Sequence, residues 1–387
     1  MPKELNTEIL MKHENDIVYT DGNKQTTMKD MILSIFKWHR LYTHCGTHHA
    51  DDITSTAFLI ELHSLVYRAF CINCDYSKFV KRIVYVSPSM KEEEKNGNAI
   101  IYDIGYGEFD HHDKDHLKLR PPKNIKDKIN IEIPYASLGL LWKKYGRTYL
   151  ILSYLIQYGE YPKSELVEKH FRKFDNNIIL PIDARDNGIF DLTDSNYSDI
   201  ISNFNAMRSS NLSDFTLNSP LTGIFANIST DPVFNYACDF ADRAFTGWIC
   251  NTLKEMRDSE YLTSLLENHD PNNSVLVMNH YVRIDENITS THPGIHYYVY
   301  PSARDKGLWC IRSVQKNKIS MYPFNVDKKP VYGTGVTYIH PSGFLANANS
   351  LENAIDACKT NDAMLEMDGK SIIIPPNLYF LERKEVS

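Results

Sequence analysis

Residues 109–116 read FDHHDKDH, an aspartate followed by two adjacent histidines, with two more aspartates and a third histidine close behind. Imidazoles and carboxylates are ligands for divalent cations, but neighbouring side chains on a strand or helix project in different directions, so one ion rarely uses an adjacent pair. Partners must come from elsewhere, and three further clusters offer them. They are His44, His49, Asp51 and Asp52 in HCGTHHADD, Asp103 in YDIGYG, and Asp183 and Asp186 in DARDNG. With Asp110, His111 and His112 they exceed the about three or four protein ligands that one ion takes. An aspartate between two ions bridges them at about 3.5–4 Å, the arrangement of a two-metal hydrolytic site that activates water and neutralises a phosphoryl group in transfer. The donor set mixes nitrogen and oxygen without thiolate, which suits Mn²⁺, with Zn²⁺, Co²⁺ and Fe²⁺ as alternatives.

The elements that must position these clusters follow from the hydrophobic pattern. RLYTH (40–44) is a strand that runs straight into HCGTHHADD. Phe58, Leu59, Leu62, Leu65, Val66 and Phe70 recur at three and four, which predicts an amphipathic helix over 53–70. RIVYV (82–86) and AIIYDI (99–104) are short β-branched strands, and 135–146 and 149–159 read as two helices. Strand–helix–strand alternation predicts a parallel sheet with crossover helices. In such a sheet ligands gather beyond the carboxyl ends of the strands, where three of the four clusters lie. The expected fold class is α/β, a doubly wound, mainly parallel sheet with a second, smaller mixed α/β domain. The expected divisions are an N-terminal extension with one helix (1–38), a catalytic domain (39–205), a linker or long loop rich in Ser, Asn, Thr and Pro (206–232) and a C-terminal substrate-binding domain (233–387). In the last, apolar spacing predicts a long helix from Val233 to about Leu266, then strands in SVLVMN, HYYVY, LWCIRSV and VTYIH, and a capped helix over 350–359.

At 387 residues the chain exceeds the ~250–300 residues at which single cores stop growing, so two domains are expected. Its hydrophobic fraction of 42% and charged fraction of 24% are those of a soluble globular protein. A formal net charge of -7 excludes a basic nucleic-acid coat, so any nucleic-acid contact needs a local basic patch. Seven scattered cysteines do not form a disulfide framework, and a reducing, cytoplasmic location is expected. Cys71 and Cys74 form a lone CxxC, which reads as ordinary thiols rather than a zinc or redox site. The polar N-terminus is not a secretory signal, and no apolar run approaches the ~18–20 residues of a membrane span.

The DHH triplet, a preceding strand-end aspartate, the upstream H-x(4)-H-x-D run and a later aspartate resemble the DHH phosphoesterase superfamily. Within it, THCGTHHADD, YDIGYGEFDHHD, YASLGLLWKKYG, PIDARDNGI and IHPSGF together resemble the melanocyte-proliferating-gene family, over about residues 40–360. The resemblance implies a manganese-dependent phosphodiesterase acting as a 3′–5′ exonuclease on RNA or short oligonucleotides; the lack of a long apolar run leads us to expect no membrane partner. The same resemblance implies that His44, His49 and Asp103 hold one ion, with Asp103 bridging. Asp51, Asp103, His111 and either Asp183 or Asp186 would hold the other, the turn at DNG favouring Asp186. His112 would face the substrate phosphate or act as general acid, Asp110 would orient a neighbouring histidine, and Asp52 would join the catalytic residues. Arg185 and Arg312 are phosphate contacts by residue type. His340, Ser342 and Gly343 of IHPSGF are substrate contacts or simply a turn that needs its glycine. His116 and Asp113 are expected to be solvated loop residues.

The chain also departs from the resemblance. IHPSGF is followed by LANANS, without the glycine pair and histidine of many DHH enzymes, and SMYPFNVDK stands where an arginine-bearing segment is expected. Two other readings therefore stand beside the exonuclease. One is a hydrolase of a small phosphorylated molecule such as a cyclic dinucleotide, nanoRNA or pyrophosphate, and the other is a metal-bound, non-catalytic nucleic-acid-binding module. A purely structural metal would leave no open coordination position.

Overall fold

The computed structural model describes residues 7–46, 48–70, 83–86, 99–105, 107–112, 118–121, 133–188, 231–284, 291–316, 319–324 and 335–367. The lone CxxC, the DKDH tail of the DHH stretch and most of the expected linker lie outside the described residues. The fold is mixed α/β. Its helices are α1 (Thr7–Lys12), α2 (Met28–Phe36), α3 (Ala50–Phe70), α4 (Ser137–Tyr158), α5 (Ser164–Phe174), α6 (Leu180–Asp186), α7 (Asp231–Glu267) and α8 (Leu351–Met367). Its strands are β1 (Ile17–Asp21), β2 (Lys24–Thr27), β3 (Arg40–His44), β4 (Ile83–Val86), β5 (Ala99–Ile101), β6 (Val275–Val277), β7 (Tyr297–Pro301), β8 (Trp309–Ser313), β9 (Gln315–Lys316), β10 (Ile319–Ser320), β11 (Val336–Ile339) and β12 (Leu345–Ala348). Among the described residues no helix is long and apolar enough to cross a membrane. The chain forms two compact units, residues 1–256 and 257–387, and the division falls inside α7.

In the first unit β3 lies between β4 and β5 in a parallel three-stranded sheet, with Leu41 opposite Ile83 on one side and Ile100 on the other. Four consecutive β3 residues, Leu41 to His44, are buried, the run expected of a strand covered on both faces. The strand therefore delivers His44 to the carboxyl edge of the sheet. Residues 7–38 add α1, an antiparallel hairpin turning at Gly22 (φ +54°), and α2, whose N-cap Thr27 accepts from the Asp30 N–H. Met28, Met31, Ile35 and Trp38 join the same core as α3 and α4, so these residues are part of the first unit's packing. The polar sequence DGNKQTT conceals the hairpin from an apolar-pattern reading.

The two helices expected over 135–159 are one continuous helix, α4. Gly146 reads as a breaker but serves a close approach. A Cβ there would lie 2.7 Å from Trp142 and 2.9 Å from Phe171, so the glycine lets those rings close over the helix. Trp142 stacks on Phe174 at 4.5 Å, and Phe58 of α3 meets Tyr149 at 5.4 Å and Phe245 of α7 at 5.6 Å. The helix ends at Gly159 in the left-handed region (φ +73°), its N–H closing on the Leu155 carbonyl.

The second unit holds a five-stranded sheet of order β11-β12-β8-β7-β6, antiparallel except where β6 runs parallel to β7. The LANA segment, in which no strand was expected, is β12, the link between β11 and β8. Helix α8 packs Ala354, Ala357 and Cys358 against the sheet and extends beyond the expected 359. Its polar continuation is held inward by Asn361, which donates to the Tyr297 hydroxyl at 2.8 Å.

Adding a methyl at Gly146 overpacks the Trp142–Phe171 contact. Gly146→Ala is expected to destabilise the protein by about 1–3 kcal/mol, read as a lowered urea midpoint at unchanged slope.

Candidate metal centre

Each ligand cluster owes its place to an identifiable local cause. His44 ends the central strand, and Gly46 (φ +100°) then turns the chain toward α3, whose start carries Asp51 and Asp52. Beyond β5, Tyr102 continues the parallel pairing through its N–H to the Tyr42 carbonyl at 3.1 Å, and Asp103 breaks from it at φ +61°. Left-handed backbone costs an ordinary residue roughly 1–2 kcal/mol, and aspartate is among the side chains that tolerate it. The turn is closed by the Asp103 N–H on the Phe109 carbonyl at 3.1 Å, which returns the chain so that Asp110, His111 and His112 follow at the same edge. Asp186 ends α6.

The ligand atoms fall into groups within 4.8 Å of one another: His44, His49, Asp52 and Asp103; Asp51, His111 and Asp186; and Asp103, Asp110, His111 and His112. Asp103 joins them. Its Oδ2 lies 3.3 Å from His44 Nε2 and 3.6 Å from His49 Nε2, while its Oδ1 lies 3.5 Å from His111 Nδ1. Asp186 reaches His111 Nε2 at 2.8 Å and His49 Nδ1 at 3.1 Å. Three of these atoms, His44 Nε2, His49 Nδ1 and Asp103 Oδ2, are buried and make no hydrogen bond. Buried polar atoms are ordinarily paired. Orphaned imidazole nitrogen and carboxylate oxygen converging on one place fit a divalent cation, and the absence of thiolate from the group fits a hard or borderline one.

The charges of the site act on one another. Burial pulls the His44 imidazole down, but the close approach of Asp103 and the charges of Asp52 and Asp103 outweigh this and raise it above its ordinary value. His111 is raised in the same way, by Asp186 and Asp103 against burial. Asp51 is driven well above the usual carboxylate range by burial and then by Asp186 and Asp103. For Asp186, burial works upward but the histidines, His111 first, bring it below the ordinary value. His112, half exposed, is raised chiefly by Asp110, whose Oδ1 lies 2.7 Å from its Nδ1.

The aspartates of DARDNG separate. Asp183, a metal candidate from the sequence, is not brought into the cation groups. Its Oδ2 accepts from Arg120 Nε at 2.9 Å and Nη2 at 2.6 Å, and its Oδ1 accepts the Gly139 N–H at 3.1 Å. One turn later on α6, Asp186 faces the histidines. Asp52 stands in the group with His44, His49 and Asp103. It is fully buried, its Oδ1 accepts the His49 N–H at 2.8 Å in the manner of a capping box, and its Oδ2 pairs with buried His48. It thus anchors the start of α3 and stands 3.4 Å behind His44 Nε2. Arg185 lies on α6, partly exposed.

In the second unit, Arg312 on β8 lies 5.6 Å from the Tyr281 ring and 5.4 Å from that of Phe344, donates to the Tyr281 hydroxyl at 2.8 Å, and keeps Nε buried without a hydrogen bond. His340 Nδ1 meets Ser342 Oγ at 2.7 Å. Gly343 is required by the turn, since it sits at φ +69° and a Cβ would come within 2.5 Å of the Phe324 carbonyl.

Sequence reasoning passed over Arg120, Ser137, Gly139 and His48. Arg120 has no periodic signal in LKLRPPK. Ser137 and Gly139 lie in YASLGLLWKKYG, where only the helix is legible. A Cβ at Gly139 would fall 1.9 Å from Asp183 Oδ2, which makes that glycine the seat of the Asp183 carboxylate.

The model of the family described as MYG1_exonuc, uncharacterised protein family UPF0160, matches residues 40–323. No curated protein matches the chain. Among solved structures, an exonuclease RecJ bound to manganese is 14% identical over 86% of this chain and 92% of that one, at a TM-score of 0.22. RecJ from Thermus thermophilus in complex with Mg²⁺ is 12% identical over 86% of this chain and 50% of that one, at 0.20, and in complex with Mn²⁺ 14% identical over 86% and 53%, also at 0.20.

Removing the buried guanidinium strands two carboxylates, since Arg120 also bonds Asp175 at 2.7 Å. Arg120→Met is expected to cost about 3–5 kcal/mol in chemical denaturation, and Arg120→Lys less, because one ammonium cannot reproduce the fork.

Proposed function

The chain belongs to the MYG1_exonuc family, and from that premise we propose that it is a metal-dependent phosphodiesterase removing nucleotides from the 3′ end of RNA or short oligonucleotides. The observation that supports this reading most is the position of Asp103, whose two oxygens face two different groups of imidazole and carboxylate donors. His44, His49 and Asp103 would hold one ion, and Asp51, Asp103, His111 and Asp186 the other, with Mn²⁺ the ion that the donor set favours. Bound there, such ions supply Lewis acidity toward a phosphoryl oxygen and lower the pKa of water.

The remaining steps are the chain's own. Asp52, held by His48 and the His49 N–H, backs His44. Asp110 holds the Nδ1 side of His112, so Nε2 is the nitrogen left to carry a proton outward. Held at Nδ1 by Asp110 and half exposed, His112 is placed to give a proton from Nε2 to a phosphate oxygen or to the leaving alcohol. Arg185 would add a phosphate contact. In the second unit, which we assign to substrate, Arg312 with its flanking rings and His340 and Ser342 suit phosphate and base contacts. The cysteine pattern supports a cytoplasmic enzyme.

A substrate panel tests the reading. Purified protein with Mn²⁺ should shorten 5′-labelled single-stranded RNA stepwise from its 3′ end and stop on addition of chelator. Activity confined to cyclic dinucleotides, dinucleotides or pyrophosphate would replace the exonuclease with a small-molecule hydrolase, and no release from any phosphodiester would leave a binding module. Asp103→Asn, which keeps a residue tolerant of the left-handed turn, should lose both ions and more than ~100-fold in turnover, beyond the range of an outer-sphere loss. Cation uptake should also depend on pH. His44 and His111 are both raised above the ordinary imidazole value, and an ion must displace any proton on a ligating nitrogen, so Mn²⁺ affinity is expected to rise with pH and binding to release protons. Calorimetry in two buffers of different ionisation enthalpy measures that release, and a flat profile would contradict it.

A further inference from the structure

Ser137, the first residue of α4, is fully buried and has no counterpart among the ligand-type residues of the sequence. Its hydroxyl oxygen lies 3.4 Å from Asp103 Oδ1 and 3.4 Å from His111 Nδ1, and its backbone N–H donates to Asp51 Oδ2 at 3.1 Å. One residue thus touches three candidate ligands, including the shared Asp103.

The hydrogen bonds allow a single direction. An ionised carboxylate only accepts, so the Ser137 proton goes to Asp103. The hydroxyl then offers His111 a lone pair, so the His111 proton must sit on Nδ1. The direct approach of Asp103 Oδ1 to the same nitrogen, at 3.5 Å, asks for the same placement. A neutral imidazole protonated on Nδ1 presents a bare Nε2, and Nε2 is the atom on the side of Asp186. The tautomer of a ligating histidine is set by the partner of its other nitrogen.

The backbone around Ser137 is itself pinned. The N-cap of α4, Ala136, contributes no side-chain cap, and the first N–H groups are taken by carboxylates from other elements. Asp51 accepts from Ser137 and Leu138, the latter at 2.8 Å, and Asp183 accepts from Gly139. The hydroxyl is therefore presented from a fixed helix end.

We propose that Ser137 is a positioning residue. Its hydroxyl sets the Nδ1–H tautomer of His111, turns Nε2 toward a cation shared with Asp51 and Asp186, and steers Asp103 between the two groups. Buried as it is, it acts through these ligands and does not touch substrate. This assignment rests on the two-cation reading above.

The test compares full-length wild type, Ser137→Ala and Ser137→Thr by calorimetric titration with Mn²⁺ alone, with ¹⁵N NMR of His111 in Zn²⁺-loaded protein as a diamagnetic readout. Ser137→Ala keeps the backbone N–H to Asp51 and should lose about 10–100-fold in affinity for at least one ion, with Ser137→Thr recovering most of it. Wild-type His111 should coordinate through Nε2 with the proton on Nδ1, a signature that stands even if a variant fails to fold. Wild-type affinity in Ser137→Ala, or coordination of His111 through Nδ1, would overturn the assignment alone. A wild type that takes up no Mn²⁺ would overturn it together with the two-cation reading.

Discussion

Asp51, Asp52, Asp103 and Asp110 are buried at one edge of a three-stranded sheet, from fully buried to 6% exposed, and Asp186 joins them from α6. Ionised carboxylates withdrawn from water cost several kcal/mol each unless positive charge or hydrogen bonds replace the solvent. The first unit is organised around that cost. β3 carries His44 to the edge, the left-handed turn at Asp103 presents both of its oxygens, and the start of α4 lends backbone N–H groups to Asp51. What remains uncompensated faces imidazoles and buried atoms without partners.

Two kinds of positive partner divide the carboxylates by task. Asp183 and Asp175 are matched to Arg120, a cation that cannot lose its proton, and that pairing fixes α6 against the start of α4. Asp103 and Asp186 are matched to histidines, whose protons can leave. A carboxylate paired with guanidinium is committed to the fold. One paired with imidazole can exchange its partner for a metal ion. Two aspartates three residues apart on one short helix thus belong to different parts of the molecule's chemistry.

The ligand types were legible because they repeat locally, as DHH and HCGTHHADD, and because β3 reads as a short buried strand and α3 carries apolar residues at helical spacing. Their supports were not legible, since each joins positions far apart in the chain. Arg120 meets Asp183 across 63 residues, Asp51 meets Ser137 across 86, and Ser137 meets Asp103 across 34. No spacing rule sees such pairs. Position alone does not decide Asp52, since a carboxylate in the first turn of a helix serves equally well as a cap or a ligand, and its partners include both the His49 N–H and His44. Gly146 shows the same ambiguity, a residue that breaks helices in isolation but here makes room for two rings. The surroundings of Arg312 were the least legible, because Phe344 reaches it through the β12–β8 pairing and the turn at Gly343.

Anomalous diffraction at the manganese absorption edge, from crystals grown with Mn²⁺, tests the central claim most directly. The account predicts two peaks about 3.5–4 Å apart, one beside His44 and His49, the other beside Asp51, His111 and Asp186, with Asp103 between them. A single peak that leaves either group empty, or peaks at neither group, would contradict it.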